Sequence, residues 1–212
     1  HGGYQICNDY VRKMVHVNAA ELFLVYDRVT LASGYTTLAK NWHIHCLNSP
    51  TVNGRAYNFT NSGYKLWGQS VLPASGVSLS TNHITDGSSY EVIVSTNNSQ
   101  ATDYMLNVLQ VTPSGQGSVT TPVAVQATSG NAEGAQVGNW VVLFGKTESV
   151  SGGVSYTLSS ASVGHIVTDL QASTSYTITR KDGSGATLGT ANVSTNANGT
   201  LRFDNPDSNA RQ

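Results

Sequence analysis

The chain has 212 residues, long enough for one β-rich unit, in one or two halves, to bury a core. Its 11 basic and 12 acidic side chains leave no large basic face, so we expect no nucleic acid partner. No apolar run approaches the roughly 18 residues of a membrane-spanning helix, which predicts no membrane span.

The polar composition is typical of secreted β proteins. Ser, Thr and Asn are abundant and 21 residues are glycine, so turns and uncharged polar groups provide solubility. This composition predicts an extracellular location. The sequence begins at His1 without an initiator Met, which we interpret as a processed N-terminus or a fragment of a longer chain.

Runs of β-branched and aromatic residues bounded by Gly, Asn, Ser and Pro recur along the chain, and helical periodicity is almost absent. This pattern predicts an all-β, antiparallel β-sandwich with one or two stacked layers. Asp182-Gly183 marks a hairpin between two of the strands. The predicted strands lie near residues 10–17, 21–30, 38–47, 64–72, 89–95, 103–112, 121–128, 138–147, 153–159, 163–170, 174–181, 186–194 and 199–204.

A Gly/Ser/Pro-rich stretch, TPSGQGSVTTP, separates longer strands from shorter ones. It predicts a first β-sandwich portion at residues 1–112, a connection at 113–121 and a second, smaller β portion at 122–212. Because the stretch is short, we interpret it as a loop between two sheets or subdomains.

Two features near the N-terminus each have two interpretations. Cys7 and Cys46 are an even pair in a chain of extracellular character, so they form a disulfide or are two small buried hydrophobic residues. Asp27 and Arg28 form a charge pair inside an apolar strand, where burial requires partners. They form a structural salt link, the favoured interpretation, or a charged element at a subunit contact.

The segment NWHIHCLNSP contains two of the six histidines. In a strand Trp42, Ile44 and Cys46 point to one face, while His43 and His45 point to the other. The two imidazoles are candidate ligands of a divalent metal such as Zn²⁺ if a third group, such as His16, His83 or Asp27, joins them. The favoured alternative is a polar sheet face without metal, and no organic cofactor is expected.

Aromatic residues are dense in the first 70 positions. Exposed aromatic rings on a sheet stack on sugars, so Tyr35, Tyr57 and Trp67, together with His45, are candidate carbohydrate contacts. Burial in the core is the commoner fate of such side chains. Four triplets fit the N-glycosylation pattern, although chance produces such triplets in a chain rich in these residues. They begin at Asn58, Asn97, Asn192 and Asn198.

The chain resembles the C-terminal β-domain of heparinase II/III-like polysaccharide lyases over residues 10 to 204. One marked segment fits the pattern Lys-x-Trp-x-x-His-x-x-x-x-Pro through Lys40, Trp42, His45 and Pro50. Five segments that carry the resemblance follow in the expected order. They are LFLVYDRVT (22–30), LAKNWHIHCLNSP (38–50), DYMLNVLQVT (103–112), NWVVLFGK (139–146) and VGHIVTDLQASTSYTITR (163–180).

The resemblance implies a fold and a substrate class. Such lyases join an N-terminal α-toroid to β-sandwich layers and cleave uronic-acid polysaccharides by β-elimination with a Tyr/His acid–base pair. This sequence contains neither the toroid nor the His-x-His-x-Asp segment of the family, so no catalytic residue carries over.

Three functions remain open. The favoured one is a non-catalytic extracellular β-sandwich derived from a lyase-like precursor, which contacts glycan or assembles with copies of itself, for example into a filament. The second is the C-terminal chain of an active lyase, completed by a cleaved N-terminal toroid chain. The third is a carbohydrate-binding module.

Overall fold

A computed structural model describes residues 5–84, 89–97, 99–160 and 164–206. Within these residues strands dominate and a single 3-10 turn, Asn18–Ala20, is the only helical element. The prediction of an all-β, sandwich-like fold is confirmed. None of the described residues forms a helix with the length and apolar character needed to cross a membrane.

The chain divides into two compact units, His1–Thr120 and Thr121–Gln212. The division lies inside the stretch 113–121 that the sequence marks as a connection. The strands of the first unit are β1 (Cys7–Val17), β2 (Leu22–Leu31), β3 (Asn41–Cys46), β4 (Thr51–Asn53), β5 (Ala56–Asn61), β6 (Tyr64–Leu72), β7 (Val77–Ile84), β8 (Ser89–Thr96) and β9 (Thr102–Pro113).

Two antiparallel sheets build the first unit. The larger has the order β1-β2-β9-β6-β5-β4, and the smaller has the order β3-β8-β7. Alternating side chains send Trp42, Val92 and Val94 from the smaller sheet into one core cluster with Tyr57 and Met105 of the larger sheet. The two sheets therefore pack as a sandwich, and the outer face of the smaller sheet carries the polar residues of the same strands.

Asp27 and Arg28 each pair with a charged residue of β1. Asp27 is buried and accepts two hydrogen bonds from Arg12 on β1, at 2.7 and 3.0 Å, while Arg28 donates to Asp9 at 2.8 Å. These are cross-strand pairs within one sheet, in line with the structural interpretation of Asp27 and Arg28. The hydrogen bonds from Arg12 compensate for the loss of hydration of the Asp27 carboxylate, which is buried in an otherwise apolar strand.

The second unit contains β10 (Val123–Ser129), β11 (Ala132–Val137), β12 (Trp140–Gly145), β13 (Ser155–Tyr156), β14 (Gly164–Val167), β15 (Ser175–Lys181), β16 (Thr187–Ser194) and β17 (Leu201–Asp204). One sheet has the order β13-β10-β11-β12-β14-β17, and β15 and β16 form a separate hairpin. β12 and β14 are parallel neighbours. Tyr176 and Ile178 of the hairpin pack against the buried residues of that sheet, including Val141 and Leu143.

The predicted strands match most of the observed ones, and the differences have physical reasons. The sequence analysis predicts no strand at β4, β5, β7 or β11. The β11 segment, AEGAQV, has few β-branched residues, yet all six of its residues are buried. Gly134 is required there, because a Cβ would lie 1.9 Å from the carbonyl oxygen of Val142. Tertiary packing, rather than local propensity, makes this segment a strand.

Candidate functional site

The second unit contains a groove of about 1400 Å³. The β15–β16 hairpin and residues 153–160 contribute most of its lining, and β14 and β17 are among the other segments that line it. Many of the lining side chains carry hydroxyl groups, among them Thr157, Ser160, Thr177 and Thr179. The groove therefore presents hydrogen-bonding groups along its walls, a property that suits a hydroxyl-rich ligand.

The hairpin keeps its shape through its turn. Oδ1 of Asp182 accepts hydrogen bonds from the backbone N–H groups of Ser184 and Ala186, both at 2.9 Å, and from the Ser184 hydroxyl at 2.7 Å. These bonds to the carboxylate lower the pKa of Asp182. The Asp182-Gly183 hairpin signal is borne out by the pairing of β15 with β16. Arg180 and Lys181, at the end of β15, add positive charge to the groove wall.

A chain of three polar side chains lies in this groove. The Tyr156 hydroxyl is 2.8 Å from Nδ1 of His165, and Nε2 of His165 is 2.9 Å from Oδ1 of Asn205. Phe203 stacks on the imidazole, with ring centroids 4.7 Å apart. These contacts fix the orientation of both the imidazole and the phenol.

Burial determines the charge of His165. The imidazole is 4% exposed, and its burial lowers its pKa, so it is neutral at pH 7. Since an amide oxygen only accepts, Nε2 carries the proton donated to Asn205, and Nδ1 accepts the Tyr156 proton. Burial also raises the pKa of Tyr156, which keeps the phenol protonated. The remaining hydrogen-bonding capacity of the Tyr156 oxygen is therefore that of an acceptor.

The second polar cluster lies on the outer face of the smaller sheet in the first unit. Nδ1 of His43 is 2.9 Å from Oε2 of Glu91, and Nε2 of His45 is 3.5 Å from the same oxygen. Asn82 donates to the other carboxylate oxygen at 3.0 Å. Hydrogen bonds from Asn82 and His43 lower the pKa of Glu91. The predicted common face of His43 and His45 is present, with Trp42 and Cys46 buried on the opposite one.

The third group beside the two histidines is thus Glu91, and not His16, His83 or Asp27. Glu91 accepts a hydrogen bond from His43, and His45 lies near the same carboxylate oxygen. Across the described residues, no group of three or more His, Cys, Asp or Glu side chains has an arrangement that could hold a metal ion. His43, His45 and Glu91 lie together on the outer face of the smaller sheet.

The structure separates the predicted carbohydrate contacts. Tyr57 is only 1% exposed and packs in the core, which corrects its assignment as a contact residue. Trp67 is half-buried, its Nε1 donates to Thr112 at 3.0 Å, and Lys65 lies 3.9 Å from the ring centroid. Tyr35 is half-buried in a loop, and His45 is exposed on β3. These four residues do not form one sugar-stacking surface.

The two cysteines are free, Cys7 exposed and Cys46 buried, so the predicted disulfide is not formed in this structure. Burial raises the pKa of the Cys46 thiol, consistent with the alternative of a small hydrophobic core residue. Of the four Asn positions, Asn58 is half-buried, whereas the others are exposed. The exposed positions are Asn97, Asn192 and Asn198.

The sequence analysis names neither Tyr156 nor His165 as a site residue. Both lie in predicted strands, but β13 and β14 are separated by three strands in the sheet order. Their contact therefore depends on how the unit folds back on itself, which local patterns do not encode. A His in a buried GHIV strand, where an apolar residue is expected, is the one local signal that could have found the site.

No family model matches this chain, and neither does any curated protein. The resemblance to the heparinase II/III-like β-domain therefore stays a prediction.

Proposed function

We propose that the chain is an extracellular, non-catalytic β-sandwich protein that contacts a polysaccharide through the groove of its second unit. The observation that carries the proposal is the Tyr156 oxygen, which His165 and Asn205 hold as a hydrogen-bond acceptor in a groove rich in hydroxyl side chains. Sugar hydroxyls supply the matching donors. The resemblance to polysaccharide-lyase β-domains and the secreted-type composition support the same ligand class.

The chemistry of the groove favours binding over catalysis. Tyr156 is protonated and His165 is neutral, with both ring nitrogens already engaged in hydrogen bonds. An acid–base catalyst needs a pKa near the working pH and access to the proton that it transfers. A fixed neutral pair instead provides a positioned acceptor, which gives orientation and specificity to a bound sugar.

The cationic side chains of the groove favour an acidic polysaccharide as the ligand. Arg180 and Lys181 lie on the hairpin wall, where a uronic-acid carboxylate has an opposite charge within reach of the hydroxyl-lined surface. We therefore expect uronic-acid polysaccharides to bind, and neutral glucans to serve as the comparison. Binding of both classes with equal affinity would assign recognition to the hydroxyl groups alone.

The test is to titrate the purified chain separately with alginate, hyaluronan, heparin and dextran. Isothermal titration calorimetry measures the dissociation constant for each polysaccharide. Replacing Tyr156 with Phe removes the acceptor and keeps the ring, so we expect the dissociation constant to rise about tenfold, the value of one lost hydrogen bond. Tyr64→Phe is the matched control, because Tyr64 is exposed on β6 in the other unit. Failure to bind any of these polysaccharides would contradict the proposal.

The same samples distinguish binding from the lyase alternative. β-Elimination of a uronic-acid polysaccharide creates an unsaturated sugar that absorbs in the ultraviolet. We expect no increase in absorbance when the chain is mixed with polysaccharides that it binds. A sustained increase that is lost in Tyr156→Phe would replace the binding function with an enzymatic one.

A further inference from the structure

We propose that the core of the first unit binds internal water, which bridges the side chains of Ser70 on β6 and Asn107 on β9. Ser70 is 1% exposed and Asn107 is 0% exposed. Within the part of the chain that the structure describes, the Ser70 hydroxyl and both amide atoms of Asn107 have no hydrogen-bond partner. Buried polar side chains are nearly always hydrogen-bonded, so three such atoms at one place indicate a bound group that supplies the missing bonds.

Strand pairing places the two side chains beside each other. In the register of β6 with β9, Ser70 lies directly opposite Asn107. Residues in such positions project to the same face of the sheet, with Cβ atoms about 4.5 to 5.5 Å apart. The hydroxyl and the amide do not bond each other directly. A water molecule between them reaches both groups at a normal hydrogen-bond distance.

Both side chains point into the space between the two sheets of the first unit. Met105, two residues before Asn107, belongs to the buried cluster between these sheets, and Leu109, two residues after it, packs against the same cluster. Side chains two residues apart in a strand share a face, so Asn107 projects into this interior. Water bound there is enclosed by the sandwich and therefore exchanges slowly with the solvent.

The Tyr57 hydroxyl extends this site along β6. The phenol is buried, and its oxygen also has no hydrogen-bond partner among the described residues. It lies 2.5 Å from the position that a Cβ would take on Gly68. Gly68 and Ser70 are successive positions on one face of β6, about 7 Å apart. A hydroxyl, an amide and a phenol together provide the roughly three hydrogen bonds that an internal water molecule makes.

The Ser70 hydroxyl cannot leave the core, because the backbone on both sides of it is held. The backbone N–H of Ser70 donates to the carbonyl of Arg55 at 2.9 Å. Nε of Arg55 in turn donates to the carbonyl of Ser70, also at 2.9 Å. These bonds fix the position of Ser70 in β6, so the hydroxyl has to find its partner inside the unit.

Oxygen-17 magnetic relaxation dispersion tests the proposal in solution, because it counts the long-lived internal water molecules of a protein. We expect the signal to fall in Asn107→Leu, which removes both amide atoms and keeps a branched side chain, and in Ser70→Ala, which removes only the hydroxyl. Ser80→Ala is the matched control, because Ser80 is exposed on β7. If Asn107→Leu does not fold, Ser70→Ala alone decides. A signal unchanged by Ser70→Ala and by any folded Asn107→Leu would overturn the proposal.

A high-resolution crystal structure tests the position of the water. We expect solvent density about 2.7 to 3.2 Å from both the Ser70 hydroxyl and the Asn107 amide. A direct hydrogen bond between Ser70 and Asn107, with no density between them, would overturn the proposal. The polysaccharide titration concerns the second unit, so its outcome is independent of this one.

Discussion

At the scale of single residues, one buried ion pair in the first unit is held by several specific partners. Lys40 and Asp103 form an ion pair of 2.8 Å in which each side chain is 2% exposed. Lys40 also donates to the carbonyl of Gln100, and the Thr96 hydroxyl donates to Asp103. The pair joins the segment before β3 to the start of β9. Removal of one partner leaves a buried charge, which in other proteins costs about 3 to 5 kcal/mol.

The neutral state of His165 makes the stability of the protein depend on pH. An unfolded histidine binds a proton near pH 6.5, whereas burial lowers the pKa of His165 in the folded chain. The unfolded state therefore binds more protons in acid, so this contribution is complete above pH 6.5 and is lost as the pH falls toward the folded pKa. The loss is at most about 1.4 kcal/mol per pH unit.

We therefore expect His165→Gln to flatten the decline of the unfolding free energy between pH 7 and pH 5. Urea unfolding at several pH values, compared between the two proteins, measures the difference. Parallel pH profiles would mean that His165 titrates alike in the folded and unfolded chains.

At the scale of the strand, close packing between β5 and β6 depends on one glycine. A Cβ added at Gly68 would lie 2.1 Å from the Tyr57 ring, which is buried and cannot move into solvent. We expect Gly68→Ala to reduce the unfolding free energy by roughly 1 to 3 kcal/mol, as overpacking does in other cores. Thermal unfolding followed by circular dichroism measures this change. Gly115→Ala, where a Cβ meets nothing within 4 Å, should leave the melting temperature nearly unchanged.

The strands also show what the sequence can predict. Alternation along β3 correctly places Trp42 and Cys46 inside and His43 and His45 outside, because this rule needs only neighbouring residues. It cannot identify Glu91 as their partner, since that depends on β8 pairing with β3 in a register set by the whole unit. The burial of Tyr57 was unpredictable for the same reason, because it depends on contacts between strands that are distant in sequence. Its aromatic ring suits a sugar contact and a core equally well until the facing sheet is known.

At the scale of the whole molecule, sparse charge limits how strongly salt affects binding. The net charge is −1, and the groove wall carries two cations beside Asp182. Salt screens exposed charges but has little effect on hydrogen bonds between hydroxyl groups. We expect polysaccharide affinity to weaken less than about tenfold between 50 and 500 mM sodium chloride. A much steeper loss, measured by the same calorimetry, would indicate recognition by charge alone.

The position of β9 has a consequence for synthesis on the ribosome. β9 lies between β2 and β6, and it pairs Thr30 with Thr102 and Leu22 with Gln110 across a long stretch of chain. β1 and β2 can pair soon after they leave the ribosome. The other edge of β2 pairs with β9, so it stays unpaired until the chain has been synthesised to residue 113. Contacts between distant residues form slowly and leave strand edges open to other nascent chains. We therefore expect the first unit to be more prone to aggregation before β9 has been synthesised than after it has paired with β2 and β6.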